Sequence, residues 1–190
     1  FALPDISLYD IIIGEMKDAV YKTQQQQLRR LTKAQFSALL LLCRLSKNLY
    51  NVALYSIRQY FFAQRKFLRY ESNYHAVKVN ENYQALNTDI AQQTMKVADR
   101  SFRSFFNLIK KAQAGEYRFQ NLGLPKYLDK DGYFSLIMPR IRLKDGKWKV
   151  PMSHEFKKEH VQIEIAFPPN FDLDTIKEVR IHPKYDGRFL

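Results

Sequence analysis

Four histidines, one cysteine and 19 carboxylates are the groups in this chain able to do acid–base, nucleophilic or metal chemistry. Their spacing supports none of it. His75, His154, His160 and His182 are scattered, with no HxxxH or HExxH pair to set two imidazoles on one helical face. His154 and His160 flank the charged run EFKKE, which reads as a solvated turn. Asp129, Asp131 and Asp145, the acids best suited to a divalent cation, sit in Asp-Lys or Asp-Gly contexts typical of turns. No phosphate-cradling glycine loop and no GxSxG elbow occurs. The lone Cys43 excludes a disulfide scaffold and any thiolate zinc site built within the chain, and points to a reducing compartment. No catalytic residue, metal or cofactor is expected in these residues.

Binding chemistry is better represented. The 190 residues carry 31 Lys+Arg and 19 Asp+Glu, a net charge of +12, and the excess is unevenly placed. Residues 1–15 hold three acids and no base, residues 16–115 hold 17 bases and 5 acids, and residues 116–190 hold 14 bases and 11 acids. Between Ala19 and Tyr70 there are ten bases and not one acid. A surface needing only solubility intersperses both signs. A long single-sign stretch suits a polyanion, nucleic acid ahead of an anionic membrane, with a partnerless solvated face as the bland alternative. Arg58, Arg65, Lys66 and Arg69 lie beside Tyr60, Phe62 and Tyr70 and can neutralise phosphates. Gln92 and Gln93, on a basic helix, have the amide chemistry to read adenine edges in a groove; two ordinary exposed helix formers is the simpler reading. Phe102, Phe105 and Phe106 read as core packing, and so does Tyr50, with its hydroxyl satisfied by a polar partner.

The elements that must position these groups fall into two textures. Thr32 is a natural N-cap. Beyond it Phe36, Leu40, Cys43, Tyr50, Leu54, Ile57, Phe61 and Leu68 recur at helical spacing, with neither Pro nor Gly from Thr32 up to Gly115. Breaks are expected near Ser46–Asn48 and Glu71–Asn73. A second helix is expected after Asn87-Thr88, ending at Gly115, with Ile90, Val97, Ala98, Phe102, Phe105, Phe106 and Ile109 on its apolar face. Its other side carries Gln93, Lys96, Arg100, Arg103, Asn107 and Lys111. After Gly115, prolines and short alternating runs (YFSLIMPRIRL, KWKVPM, VQIEIAF, EVRIHP) read as strands, with Asp145-Gly146 and Asp186-Gly187 as hairpin turns. The expected class is α+β. The longest apolar run, Phe36 to Leu45, is broken by Arg44 and falls short of the ~20 residues a bilayer span needs. No positively charged n-region opens the chain. No membrane partner is therefore expected, and the location expected is cytoplasmic, with the nucleoid.

Four stretches carry a family resemblance: LCRLSKNLYNVAL, NYQALNTDIAQQTMKVADRSFRSFFNLIKK, YRFQNLGLPKYLDKDGYFSLIMPRIRLKDGKWKVPMS and IKEVRIHPKYDGRFL. In that order they resemble the N-terminal half of the OrfB/TnpB transposon proteins, over roughly residues 17–190. The resemblance implies an RNA-guided DNA endonuclease: a helical recognition lobe inserted into an oligonucleotide-binding-like β-barrel, the wedge, with a RuvC-like nuclease and zinc ribbon beyond. Base pairing by the guide then supplies most of the specificity, and the protein reads a short motif beside the target. On that pattern residues 1–15 are an upstream or fragment segment, 16–31 and 116–190 are the two parts of an incomplete wedge, and 32–115 are the recognition lobe. Gln92 falls at the motif-reading position, with Thr88, Gln93 and Lys96 as neighbours, and Tyr50 and Asn51, which match the family's "YN" pair, are implied as motif readers with them. Lys126, Tyr127, Lys130, Arg140 and Arg142 are then candidates for holding guide RNA or heteroduplex backbone, alongside Arg58, Arg65, Lys66, Arg69, Arg100 and Arg103. Guide RNA and double-stranded target DNA are the partners implied, and magnesium and zinc belong only to the nuclease half. The chain stops before the first catalytic carboxylate of the pattern, so it is expected not to cut DNA alone. Open edges of an unclosed barrel are expected to make it poorly soluble. The alternative is a stand-alone basic DNA- or RNA-binding protein, such as a nuclease-dead repressor; an anionic-membrane-surface protein ranks last, since its apolar faces are needed for a core.

Overall fold

In a computed structural model of the chain the described residues are 23–144, 146–166, 175–184 and 187–190. The expectations for residues 1–15 and 16–22, for Asp145 and for Asp186 lie outside them.

Helix α1 covers Lys33–Gln64. Thr32 starts it with a capping box: its hydroxyl accepts from the Gln35 N–H at 3.2 Å, and the Gln35 side chain accepts from the Thr32 N–H at 3.1 Å. The helix runs unbroken through Ser46–Asn48, contrary to the sequence expectation. Those three polar residues act as a joint only when solvated, and here each has a partner. Ser46 and Thr94 share a hydrogen bond at 3.0 Å, Lys47 donates to the Lys130 carbonyl at 2.6 Å, and Asn48 donates to Asn82 at 3.1 Å. The first real break is Arg65, which takes the left-handed conformation at φ 54° and ends the helix. The second expected break, Glu71–Asn73, lies inside helix α2, Tyr70–Val77, where the buried Asn73 amide donates to the Ala53 carbonyl at 3.2 Å. Helix α3, Glu81–Ala85, follows, capped by Asn80. Helix α4, Thr88–Gln113, begins at the Asn87 cap and gives way to Gly115 at φ 81°, as its sequence predicts.

Helices α1 and α4 run parallel. Ser46 meets Thr94, Tyr50 meets Ser101, and Phe61 meets Phe106, so numbering rises along both together. Helices α2 and α3 form the return, Asn73 touching Ala53 and Asn82 touching Asn48. The seam is apolar: Leu39, Leu42, Leu54 and Ile57 of α1 and Ile90, Met95, Ala98 and Phe102 of α4 are fully buried. At its far end Phe61, Phe67, Phe102, Phe105 and Phe106 form one cluster of edge-to-face, tilted and stacked rings with centroids 5.5–6.4 Å apart. The aromatic stripe of α4 is core, as its spacing implied.

The strands form where the alternating runs placed them, so the chain is α+β. Strand β1, Leu136–Met138, is buried throughout and packs on α4 and α1, pairing antiparallel with β5, Val179–Ile181. Strands β2 (Leu143–Lys144), β3 (Lys147–Lys149) and β4 (Glu164–Ala166) make a separate antiparallel sheet. Gly146 at φ 69° lies in the tight β2–β3 connection. Around Gly187, the His182 and Leu190 backbones exchange hydrogen bonds at 2.7 and 3.0 Å. These two sheets do not close into a barrel among the described residues. The EFKKE run is a correction: it lies in helix α5, His154–Glu159, capped by Ser153, with His160 stacked on Phe156 at 4.2 Å.

Candidate nucleic-acid interface

One face of α1 carries Arg44, Lys47, Asn51 and Arg58, spaced so that they form a stripe along the helix. Onto it lies an extended strap, residues 125–134, running antiparallel to the helix. Arg58 donates to the Pro125 carbonyl at 3.5 Å. Asn51 both donates to the Leu128 carbonyl and accepts from its N–H, each at 2.9 Å. Lys47 donates to Lys130, the Arg44 guanidinium sits 5.8 Å from the Tyr133 ring centre, and the Phe134 N–H donates to the Cys43 carbonyl at 3.0 Å. Between Cys43 and Arg58 the helix rises about 22 Å, and the strap is fastened at five levels over that length. The side chains of Lys126, Tyr127 and Lys130 point outward and are exposed.

Tyr50 and Asn51, the pair that the resemblance offers for motif reading, are taken up within the fold. Tyr50 is only 6 % exposed, its ring 5.1 Å from Phe134 and its hydroxyl 3.4 Å from Ser101. The Asn51 amide is taken up, donor and acceptor, by the Leu128 backbone. Arg140 and Arg103 are also engaged. Arg140 forks onto Asp89 at 2.6 and 3.2 Å, which holds the guanidinium pKa up, and Arg103 pairs with Asp99 at 2.7 Å. Arg65, Lys66, Arg69, Arg100, Lys126, Lys130 and Arg142 are exposed and have no carboxylate partner among the described residues. Arg58 is half-buried and forms no ion pair with a carboxylate among the described residues.

Thr88, Gln92 and Lys96 fall on one stripe of α4 at four-residue spacing, with Gln93 beside them. Thr88 is exposed and the other three are half-buried. The Lys96 ammonium lies 5.7 Å from the Tyr70 ring centre. Burial pushes the Tyr83 hydroxyl up to about 12; Gln92 opposes that shift, and Tyr74 and Tyr70 add to it. Burial raises the Asp99 carboxyl above the usual range against the opposing pull of Arg103. Asn73 Oδ1, Tyr83 Oη and Asp99 Oδ1, one each on α2, α3 and α4, are buried polar atoms without a hydrogen-bond partner among the described residues.

The sequence reading missed Arg44 and Lys47 as the strap's fastenings. Their signal was available: Lys47, Asn51 and Arg58 share one helical face, but an expected break at Ser46–Asn48 hid the register. No group of three or more His, Cys, Asp or Glu among the described residues is arranged to hold a metal ion, and no described helix is long and apolar enough to cross a membrane. No protein-family model matches the chain, and no curated protein matches it.

Proposed function

We propose that this chain is the nucleic-acid-binding portion of a transposon-encoded RNA-guided DNA endonuclease of the OrfB/TnpB kind, taking guide RNA and target DNA on its helical lobe and strap. The observation that carries the reading is a set of exposed cations held in no ion pair among the described residues: Arg65, Lys66 and Arg69 at the α1–α2 junction, Arg100 on α4, and Lys126 and Lys130 on the strap. Cations left unpaired favour a polyanion, whose counterions they release on binding. Thr88, Gln92, Gln93 and Lys96 supply hydroxyl, amide and ammonium groups on one helix, the chemistry of base-edge contact. The segments on either side of the helices also meet, the Leu28 N–H donating to the Phe189 carbonyl at 2.9 Å and Phe36 packing on Phe189 at 5.2 Å. That contact supports a wedge of oligonucleotide-binding type interrupted by the helical lobe. Cleavage, magnesium and zinc are assigned to a nuclease half and to none of these residues.

The test is fluorescence-anisotropy titration of labelled RNA and duplex DNA with the chain and with the triple variant Arg65→Gln/Lys66→Gln/Arg69→Gln. On a single strand, three lost phosphate contacts flatten the plot of log affinity against log salt by about 2. An unchanged slope for the folded triple variant refutes the assignment of this surface.

A further inference from the structure

Two exposed aromatic rings flank Arg58. Its guanidinium carbon lies 4.6 Å from the Tyr127 ring centre and 5.8 Å from that of Phe62, and its Nη1 is tied to the Pro125 carbonyl. Tyr127 and Phe62 nevertheless stay 41 % and 44 % exposed. Phe61, one residue before Phe62, packs against Phe102 and Phe106 and is half-buried, whereas Phe62 stays outside that cluster's core. The cation fixes Tyr127 from within, α1 and the strap fix the cation, and the ring remains open to solvent. Charge by itself makes the strap a weak phosphate site, since Lys126 and Lys130 are matched there by Asp129 and Asp131, all four exposed. Whatever binds here is held mainly through the ring.

We infer that Tyr127, backed by Arg58, is a stacking platform for one unpaired nucleobase, with Lys126 and Lys130 placed for the phosphates on either side. This rests on the nucleic-acid reading above and narrows it to a single-stranded segment. Bases within a duplex already stack on each other, whereas a splayed base presents a free π-face that an aromatic ring accepts whatever its identity. The guanidinium behind the ring holds its plane in place before the base arrives, so little side-chain freedom is lost on binding.

The test uses the full chain with single-stranded RNA carrying one 2-aminopurine, the same sequence as single-stranded DNA, and the matching DNA duplex. Tyr127→Ala is expected to weaken single-strand binding about 5- to 100-fold and leave duplex affinity unchanged, while Tyr127→Phe retains both. The RNA and DNA arms show which single strand is preferred. Stacking quenches 2-aminopurine in the unaltered chain and in Tyr127→Phe, a readout that stands even if Tyr127→Ala fails to fold. Absence of quenching in the unaltered chain, or a folded Tyr127→Ala that keeps its single-strand affinity or loses duplex affinity equally, overturns the inference. If the unaltered chain binds and only the platform result fails, the proposed function stands; if it binds no nucleic acid, both fall.

Discussion

Replacing Asn51 by alanine separates a structural pin from a motif reader. Its amide makes two hydrogen bonds to the half-buried Leu128 backbone, each 2.9 Å long. Each such bond contributes about 1 kcal/mol net, and leaving the Leu128 N–H and C=O partly unsatisfied adds about 1 kcal/mol more. The expected loss of about 2–3 kcal/mol corresponds to a fall in Tm of about 4–12 °C for a chain of this size. Asn51→Asp keeps the acceptor for the Leu128 N–H but sets a carboxylate against the carbonyl, so it is expected to do no better. Thermal unfolding by circular dichroism measures the loss. Limited trypsin digestion should show faster cutting at Lys126 and Lys130 once the strap is freed, and nucleic-acid affinity should fall alike for every target sequence. An unchanged Tm and digestion pattern, together with a selective loss of sequence preference, would refute the pin and restore Asn51 as a reader.

Other parts of the fold make their own predictions. Phe102, fully buried in the aromatic cluster, should cost about 3–5 kcal/mol on truncation to alanine, read as a lower urea midpoint at constant m. Asp99 has its carboxyl pKa raised in the fold, so the native state binds the proton more readily and stability falls as pH rises through that range. Asp99→Asn is therefore expected to be at least as stable as the parent at neutral pH, with the difference closing on acidification, as Tm against pH will show. Burial drives the Cys43 thiol far above its ordinary pKa, so an aromatic disulfide reagent should react with it only after denaturant is added.

What the sequence makes legible is chemistry that acts over a few residues. Thr32 with Gln35, Asn87 with Asp89, and Gly115 mark helix ends through bonds and backbone conformations reaching no further than one turn, so both long helices start, and α4 ends, where expected. The alternating runs after Gly115 likewise predict the strands. What stays hidden depends on partners remote in sequence. Ser46, Lys47 and Asn48 look like a solvated joint, yet they are satisfied by Thr94, Lys130 and Asn82, and only the folded chain brings those near. The same distance conceals the strap, because nothing local in LPKYLDK says that it lies along α1. The site divides in the same way. Exposure of Arg65, Lys66 and Arg69 follows from their place at a helix end, whereas the pairing of Arg140 with Asp89 and of Asn51 with Leu128 is a tertiary event.

The salt dependence of single-stranded RNA binding measures whether the α1–α2 junction, together with Lys126 and Lys130 beside the Tyr127 ring, takes phosphates. Arg65, Lys66, Arg69, Lys126 and Lys130 offer about five contacts, which predicts a slope of about −3.5 in log affinity against log salt. A slope near zero, or no measurable binding at low salt, refutes nucleic-acid binding at this surface.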